Sequence, residues 1–492
     1  VSRVMGCWLG KAIGGTLGQS FEGMDGPLDA TFYDPVPLGM VPNDDLDLQV
    51  VWACMLDGMA TPSVDRELLA DAWLRHVRFP FNEYGVAKRN LREGLRPPES
   101  GAHDNWFTTG EGAAIRSELW ACLAPGDPAL AAAFAYEDAC VDHAGEGIWA
   151  PQFLAAMQAA AFTCSDIDAA LDAGLGVLPG SSDVRRVVEA TRRWVKEGHP
   201  WDEVRDRIIV DFGAGDFTDV RMNTGFVVLG LLIGDGDFER SILVTNNCGK
   251  DTDSSTASVG ATLGILWPER IPTRWRDPIG SDLILNDAIV DVAAPTSIED
   301  FTDLVLRLRE RLERQDPSAD RVVRPASQTT GLVVSAAFFS LTDEHRNLDH
   351  WFLPPAGEGE PAWPVEPHQR RLSGTWVQMA DHEFDDDLLM LAYPVWIEPE
   401  SAGRVRIMVA ADTPCRVWLD GEWLFGRDGG PMFPAPHMPR INTYADVDLS
   451  SGGHRLTVVV QRPGRSRSAE WIVAVADAQT HEWIPGVLRG GW

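Results

Sequence analysis

Two stretches of this chain carry acids where cation chemistry would want them. Gly249-Lys250-Asp251-Thr252-Asp253-Ser254-Ser255 follows an apolar run and opens a helical pattern through Ala257, Gly260, Ala261, Gly264 and Leu266. Asn43-Asp44-Asp45-Leu46-Asp47 opens another, through Leu48, Val51, Trp52, Met55, Leu56 and Met59. Asp and Ser cap helices and suit the positive end of the helix dipole, so each stretch alone reads as an acidic helix start. A cap needs only one acid, however. Asp44 and Asp47 share a face and repel unless something positive lies near them. Oxygens converging from short turns suit a hard divalent cation, Mg²⁺, Mn²⁺ or Ca²⁺ rather than Zn²⁺. Asp44, Asp45, Asp251 and Asp253 on one cleft would call for a pair of such ions.

Bringing the two stretches together falls to small-residue helices. Residues 4–18 read as a helix with Gly6, Gly10, Gly14 and Gly18 on one ridge. Glycine costs a helix about 1 kcal/mol per residue, so four in register imply a second helix lying directly against them. Gly260, Ala261 and Gly264 offer the matching surface, and the carboxyl end of the first helix delivers Gln19-Ser20-Phe21-Glu22.

Helical periodicity also covers residues 64–79, 110–120 with Arg116, 184–196, 201–212, 224–233, 238–248 and 297–314. A further helical region, 128–162, breaks at His143-Ala144-Gly145-Glu146-Gly147. His143 there reads as a site residue or as a surface or capping histidine. Residues 80–107, rich in Pro, Gly and Asn, read as a long polar and aromatic loop suited to substrate contacts through Asn105 and Trp106. Residues 315–330 read as a linker.

Beyond the linker the period changes to that of strands, at 404–409, 454–460 and 471–476, with Asp420-Gly421 turning a hairpin between 416–419 and 422–425. The expected architecture is therefore multidomain: an all-α domain over 1–314, then an all-β sandwich or jelly roll over 331–492. Trp418 and Trp423 either stack on sugars or pack in the core. The acidic run 381–387 either holds Ca²⁺ or is solvated.

Composition excludes several functions. With 73 acidic against 42 basic residues the formal charge is −31, which repels nucleic-acid backbones. The arginines at 307, 309, 311 and 314 alternate with Glu310 and Glu313 and read as a solvated helix face. No apolar run reaches membrane-spanning length and no signal peptide is visible. The seven cysteines are dispersed, without a C-x-x-C pair, which argues for free thiols in a reducing, cytoplasmic setting.

Three motifs in order resemble the ADP-ribosylglycohydrolase family over roughly residues 1–310. Gly14-Gly15-Thr16-Leu17-Gly18-Gln19-Ser20-Phe21-Glu22 is similar to that family's amino-terminal G-D-A-x-G segment and the acid after it. Pro42-Asn43-Asp44-Asp45-Leu46 is similar to its T-D-D-T segment, and Gly249-Lys250-Asp251-Thr252-Asp253-Ser254 to its G-x-D-T-D-T segment. Gly112-Ala113-Ala114-Ile115-Arg116 resembles its G-x-x-M-R helix, and Asp142-His143 its histidine before a helix.

The resemblance implies two divalent cations, Mg²⁺ foremost with Mn²⁺ or Ca²⁺ as alternatives, held by Asn43, Asp44, Asp45, Asp251, Asp253 and Ser254. It implies catalytic roles for Glu22, on water or the leaving group, and for Asp45. It offers Asn105, Trp106, Arg116 and His143 as substrate contacts. Gly15, Leu46, Lys250 and Ser254 depart from the family pattern and point to an altered substrate. The implied activity is hydrolysis of an α-ribosyl N- or O-glycosidic bond, on an ADP-ribosylated protein or a related conjugate. Two other readings stay open: a hydrolase of a non-nucleotide carbohydrate, and a non-catalytic sugar-binding protein. The expected partner is thus a small-molecule or glycosidic substrate, with neither nucleic acid nor membrane.

Overall fold

The computed structural model describes residues 1–314, 332–339, 357, 359–363, 366–378, 388–461 and 469–488. The expected linker and the acidic run 381–387 lie outside them. The helices are α1 (Ser2–Gln19), α2 (Asp44–Asp57), α3 (Arg66–His76), α4 (Asn82–Arg92), α5 (Glu99–Ala102), α6 (Ser117–Leu123), α7 (Pro128–Ala139) and α8 (Glu146–Ala161). They continue as α9 (Ile167–Gly176), α10 (Asp183–Lys196), α11 (Trp201–Phe212), α12 (Val220–Gly234), α13 (Phe238–Asn247), α14 (Thr252–Leu266), α15 (Thr273–Arg276) and α16 (Ile298–Glu313). None among the described residues is long and apolar enough to cross a membrane. The seven cysteines are free thiols.

The glycine ridge does what its spacing requires. A methyl group added at Gly6, Gly10, Gly14 or Gly18 would fall well under 3.0 Å from backbone atoms of Gly264, Gly260, Thr256 and Asp253, respectively. That register is antiparallel, so the carboxyl end of α1 meets the amino end of α14. α14 is buried along its whole length, which explains its small residues and its hydroxyls. Ser255 and Thr262, for example, return their hydroxyls to the helix's own carbonyls.

Residues 80–107 are not the continuous loop expected from their turn residues. They contain α4, and most of its residues are buried. The chain falls into two compact units. One comprises Val1–Arg78, Arg96–Ala102 and Phe107–Pro325; the other comprises Phe79–Leu95, His103–Trp106 and Ala326–Trp492. α4 thus belongs with the strands. Its buried Lys88 pairs with Glu482 at 2.7 Å, and Arg89 pairs with Asp104 at 3.2 Å and lies over the Trp483 ring. Turn residues made α4 look like loop; partners nearly four hundred residues away make it core. Helix α9 was likewise not expected from the sequence.

The strands are β1 (Leu332–Phe339), β2 (His368–Leu372), β3 (Trp376–Gln378), β4 (Leu388–Ile397), β5 (Gly403–Ala411), β6 (Pro414–Leu419), β7 (Glu422–Asp428), β8 (Tyr444–Leu449), β9 (Gly452–Gln461) and β10 (Glu470–Asp477). They form two antiparallel sheets, β2-β1-β4-β9-β6-β7 and β3-β10-β5-β8. The sheets share one apolar core, including Leu391, Tyr393, Val409, Val458, Trp471 and Val473. This is the expected sandwich. Asp420 and Gly421, with φ of 51° and 86°, turn the predicted hairpin. Trp418 is fully buried and meets Trp423 edge-on at 5.5 Å, so it is a core residue.

His437 gives this unit a pH signature. Its ring lies 5.1 Å from Phe81, and burial, with His481 as a lesser cause, pushes it down to about 4. The unfolded chain takes up this proton near pH 6.5, the folded chain only near 4. The contribution of neutral His437 is therefore complete above 6.5 and drains away as pH falls toward 4. Discounted for partial exposure, the loss should be roughly 2 kcal/mol. Urea unfolding at pH 7 and pH 4.5 should show it, and His437→Phe should flatten that part of the difference.

Candidate functional site

The turn after α1 is tied to the turn before α14 by backbone. Gly23 N–H donates to Lys250 O at 2.9 Å and Lys250 N–H to Met24 O at 2.7 Å. Gly249 and Lys250 take φ of 75° and 71°, which is costly for a lysine and reverses the chain sharply before Asp251. Thr252 Oγ1 donates to Gly18 O at 2.8 Å. Glu22 is thereby brought to Asp251 and Asp253, and one carboxylate oxygen from each lies within 4.8 Å of the other two. That is about twice a Ca²⁺–oxygen distance, a spacing one ion can bridge.

The start of α2 joins from another side. Asn43 caps α2, its Oδ1 accepting Asp45 N–H at 2.8 Å, while its Nδ2 donates to Asp253 at 3.2 Å. Ser254 Oγ reaches Asp45 at 3.5 Å. The Asn43 amide oxygen is thus already engaged as a cap. Asp44 is half-buried, and Asp45 is buried.

These carboxylates disfavour one another's charge. Asp253 first, then burial and Asp44, raise Glu22 to about 8. Glu22 is solvent-exposed as a residue, but its carboxylate is the end drawn into the cluster. Burial raises Asp251 well above the carboxylate range, reinforced by Glu111, Asp253 and Glu22. Burial likewise raises Asp45 and Asp253. The donor set fits a hard cation: all oxygens, with Asp253 Oδ1 buried and lacking a hydrogen-bond partner among the described residues.

Three charged residues here escaped the sequence reading. Lys11 is buried on α1, 3.4 Å from Asp45 and 3.2 Å from Glu118. Burial opposes its charge, but Asp45 and Glu118 outweigh that and raise it. Glu118 also accepts from Gln49 and Gln158. Glu111 is buried between two glycines. A lysine on a Gly/Ala helix face was the available signal for the first; nothing in spacing marked the acids.

The sequence model of the ADP-ribosylglycohydrolase family matches residues 1–317, the part of the chain that builds this cluster. The chain belongs to the ADP-ribosylglycohydrolase family. Membership supports a hydrolase, specifically a glycohydrolase, and the family is typically metal-dependent. No curated protein matches the chain. Among solved structures, one titled ADP-ribosylglycohydrolase-related protein complex is 20% identical, covering 63% of this chain and 98% of its own, with a TM-score of 0.45. A β-glucosidase from Kluyveromyces marxianus, solved with glucose, is 14% identical, covering 32% of this chain and 16% of its own, with a TM-score of 0.20. An anti-sigma factor domain-containing protein from Clostridium clariflavum is 9% identical, covering 32% and 47%, also with a TM-score of 0.20.

For an ADP-ribosylglycohydrolase relative, the remaining expected contacts fall into different settings. Arg116 is fully buried, donating to Asp138 at 2.9 Å and to both oxygens of Asp142 at 3.0 Å. It lies 5.2 Å from the Trp73 ring centroid. This arrangement is a structural ion-pair network, with its guanidinium committed to protein carboxylates. His143 is buried and its Nδ1 faces Asp142 at 2.8 Å. Asn105 and Trp106 belong to the second unit, where Trp106 meets Phe433 edge-on at 6.4 Å. Of the residues that depart from the family pattern, Lys250 turns to Asp25. Gly15 lines a small recess with Lys11, Thr16, Asn43, Asp45 and Leu46, where an added Cβ would lie 3.2 Å from Asn43 Nδ2.

Proposed function

We propose that this chain hydrolyses an α-ribosyl N- or O-glycosidic bond with the help of two divalent cations, Mg²⁺ foremost. The observation that carries the reading is the convergence of Glu22, Asp251 and Asp253 where α1 ends and α14 begins. Asp44, Asp45, Asp251 and Asp253 would hold the cations, with the Ser254 hydroxyl and the Asn43 amide beside them. Bound cations would supply Lewis acidity toward ribose hydroxyls and the anomeric region. Glu22, reaching the cluster from the solvent side, moves the proton between water and the leaving nitrogen or oxygen. The water oxygen bonds to the anomeric carbon as the bond to the leaving atom breaks. Asn43 holds Asp253 in place, and Lys11 does the same for Asp45.

A non-nucleotide glycoside is the second reading. It is favoured by the charge around the cluster: Lys11 is its paired cation and is already shared between Asp45 and Glu118. A pyrophosphate would then depend on backbone N–H groups at helix starts. The test is turnover of an ADP-ribosylated peptide and of aryl furanosides and pyranosides with Mg²⁺, Mn²⁺ or Ca²⁺, with and without EDTA. ADP-ribose release that EDTA abolishes is the expected result. Sugar turnover without ADP-ribose release selects the second reading, and turnover indifferent to EDTA rules out the cation role.

The cation-free protein should also show a characteristic pH response. Glu22 keeps its proton to about pH 8 when folded, against 4.5 for the ordinary group. Its contribution is complete below 4.5 and lost as pH climbs through 8. The melting temperature without cation should therefore fall between pH 5 and pH 8.5. Saturating Mg²⁺ removes the like-charge cause and should remove that fall; a fall unchanged by Mg²⁺ would assign it to other groups.

A further inference from the structure

We propose that Glu111 is a further oxygen ligand of the divalent-cation site, contributed by a segment outside both acidic helix starts. The inference rests on the cation reading above and adds to it. Glu111 is 2% exposed, and its Oε2 has no hydrogen-bond partner among the described residues. A buried, unpaired carboxylate oxygen is costly, and burial of this kind persists where something positive or donating completes it.

The segment carrying Glu111 is held from several directions. Val220 N–H donates to Thr109 O at 2.9 Å, and Thr109 Oγ1 donates to Asp219 at 2.8 Å. Ile115 N–H donates to Glu111 O at 3.1 Å, and Gln49 of α2 donates to Ile115 O at 3.1 Å. The Ala114–Arg116 turn packs on both α2 and α14, the two helices whose first turns carry the acids. Glu111 is within electrostatic reach of Asp45, Asp251 and Asp253. Lys11, the nearby cation, is engaged by Asp45 and Glu118. A buried carboxylate whose Oε2 lacks a partner among the described residues, just before a turn packed on both acid-bearing helices, is placed to share their cations.

The test uses the full chain and Mn²⁺ alone, by calorimetric titration and Mn²⁺ EPR, with melting curves in EDTA. Glu111→Gln keeps the shape and removes the charge. It should weaken Mn²⁺ binding about ten- to a hundredfold or lower the number of ions bound. It should also raise the EDTA melting temperature, because one like charge leaves the cluster. A merely structural Glu111 would instead lower that temperature and leave affinity intact. Glu111→Asp, which withdraws the carboxylate by one methylene, should also weaken binding and serves if the glutamine variant misfolds. Wild-type affinity and stoichiometry in a folded variant overturn this inference alone. A wild-type chain that binds no Mn²⁺ overturns it together with the cation reading.

Discussion

Asp253→Asn is expected to lower glycosidic turnover about a thousandfold or more, a loss of the size seen when a preorganised charge is removed from a reacting centre. Asparagine keeps an oxygen to accept from Asn43, which now donates to Asp253 at 3.2 Å. Helix α14 should start as before, because its first turn is also held by Thr252 on Gly18 O. What disappears is a charge inside a cluster with Glu22 and Asp251. Without cation, the variant should melt at or above the wild-type temperature, since it relieves repulsion. With cation, it should gain less. The pairing of lost turnover with undiminished apo stability separates a site residue from a structural one. Steady-state kinetics and melting curves with Mg²⁺ and with EDTA measure both. Turnover within tenfold of wild type would remove Asp253 from the chemistry.

Gly10→Ala should destabilise the helical unit by about 3 kcal/mol or more, although alanine is the better helix former by about 1 kcal/mol. A Cβ at Gly10 would meet the backbone of Gly260, which has no rotamer by which to yield. The two helices must separate, and the dispersion contacts along the seam are lost together. Because that seam sets the distance from Glu22 to Asp251 and Asp253, activity should fall more than stability alone explains. Gly58→Ala is the internal contrast. Its nearest backbone atom would be 3.5 Å away, so the expected change is within about 0.5 kcal/mol. Urea unfolding reads both; equal midpoints for the two variants would refute the close-packed seam.

That seam was also the most legible part of the molecule. Glycines every fourth residue have one economical explanation, and the partner surface at Gly260 and Gly264 could be found by the same rule. Hairpin chemistry at Asp420-Gly421 was equally local, and so was readable. Glu22, Asp251 and Asp253 were legible through motif order, and the structure does bring them together. Glu111 and Glu118 were not, because an acid's role here depends on burial and on neighbours from other helices. Lys11 carried a signal in its small-residue surroundings that only its partners make intelligible. Arg116 matched a motif, yet Asp138 and Asp142 hold its guanidinium inside a buried ion-pair network. Helix α4 failed for the same reason in reverse. Its charges are neutralised by Asp104 and Glu482, and no window along the chain contains both ends of the Lys88–Glu482 pair.

The placement of α4 has a consequence for how the protein is made. Its unit is written in separated pieces of the chain, with Phe107–Pro325 intervening before the strands. On the ribosome, residues 79–95 emerge nearly four hundred residues ahead of Glu482 and Trp483. At ordinary rates of synthesis the segment waits tens of seconds for its partners. During that wait Lys88 lacks its counter-charge and the apolar side of the helix lacks its cover. The nascent chain therefore has a built-in window of vulnerability that local sequence alone does not close.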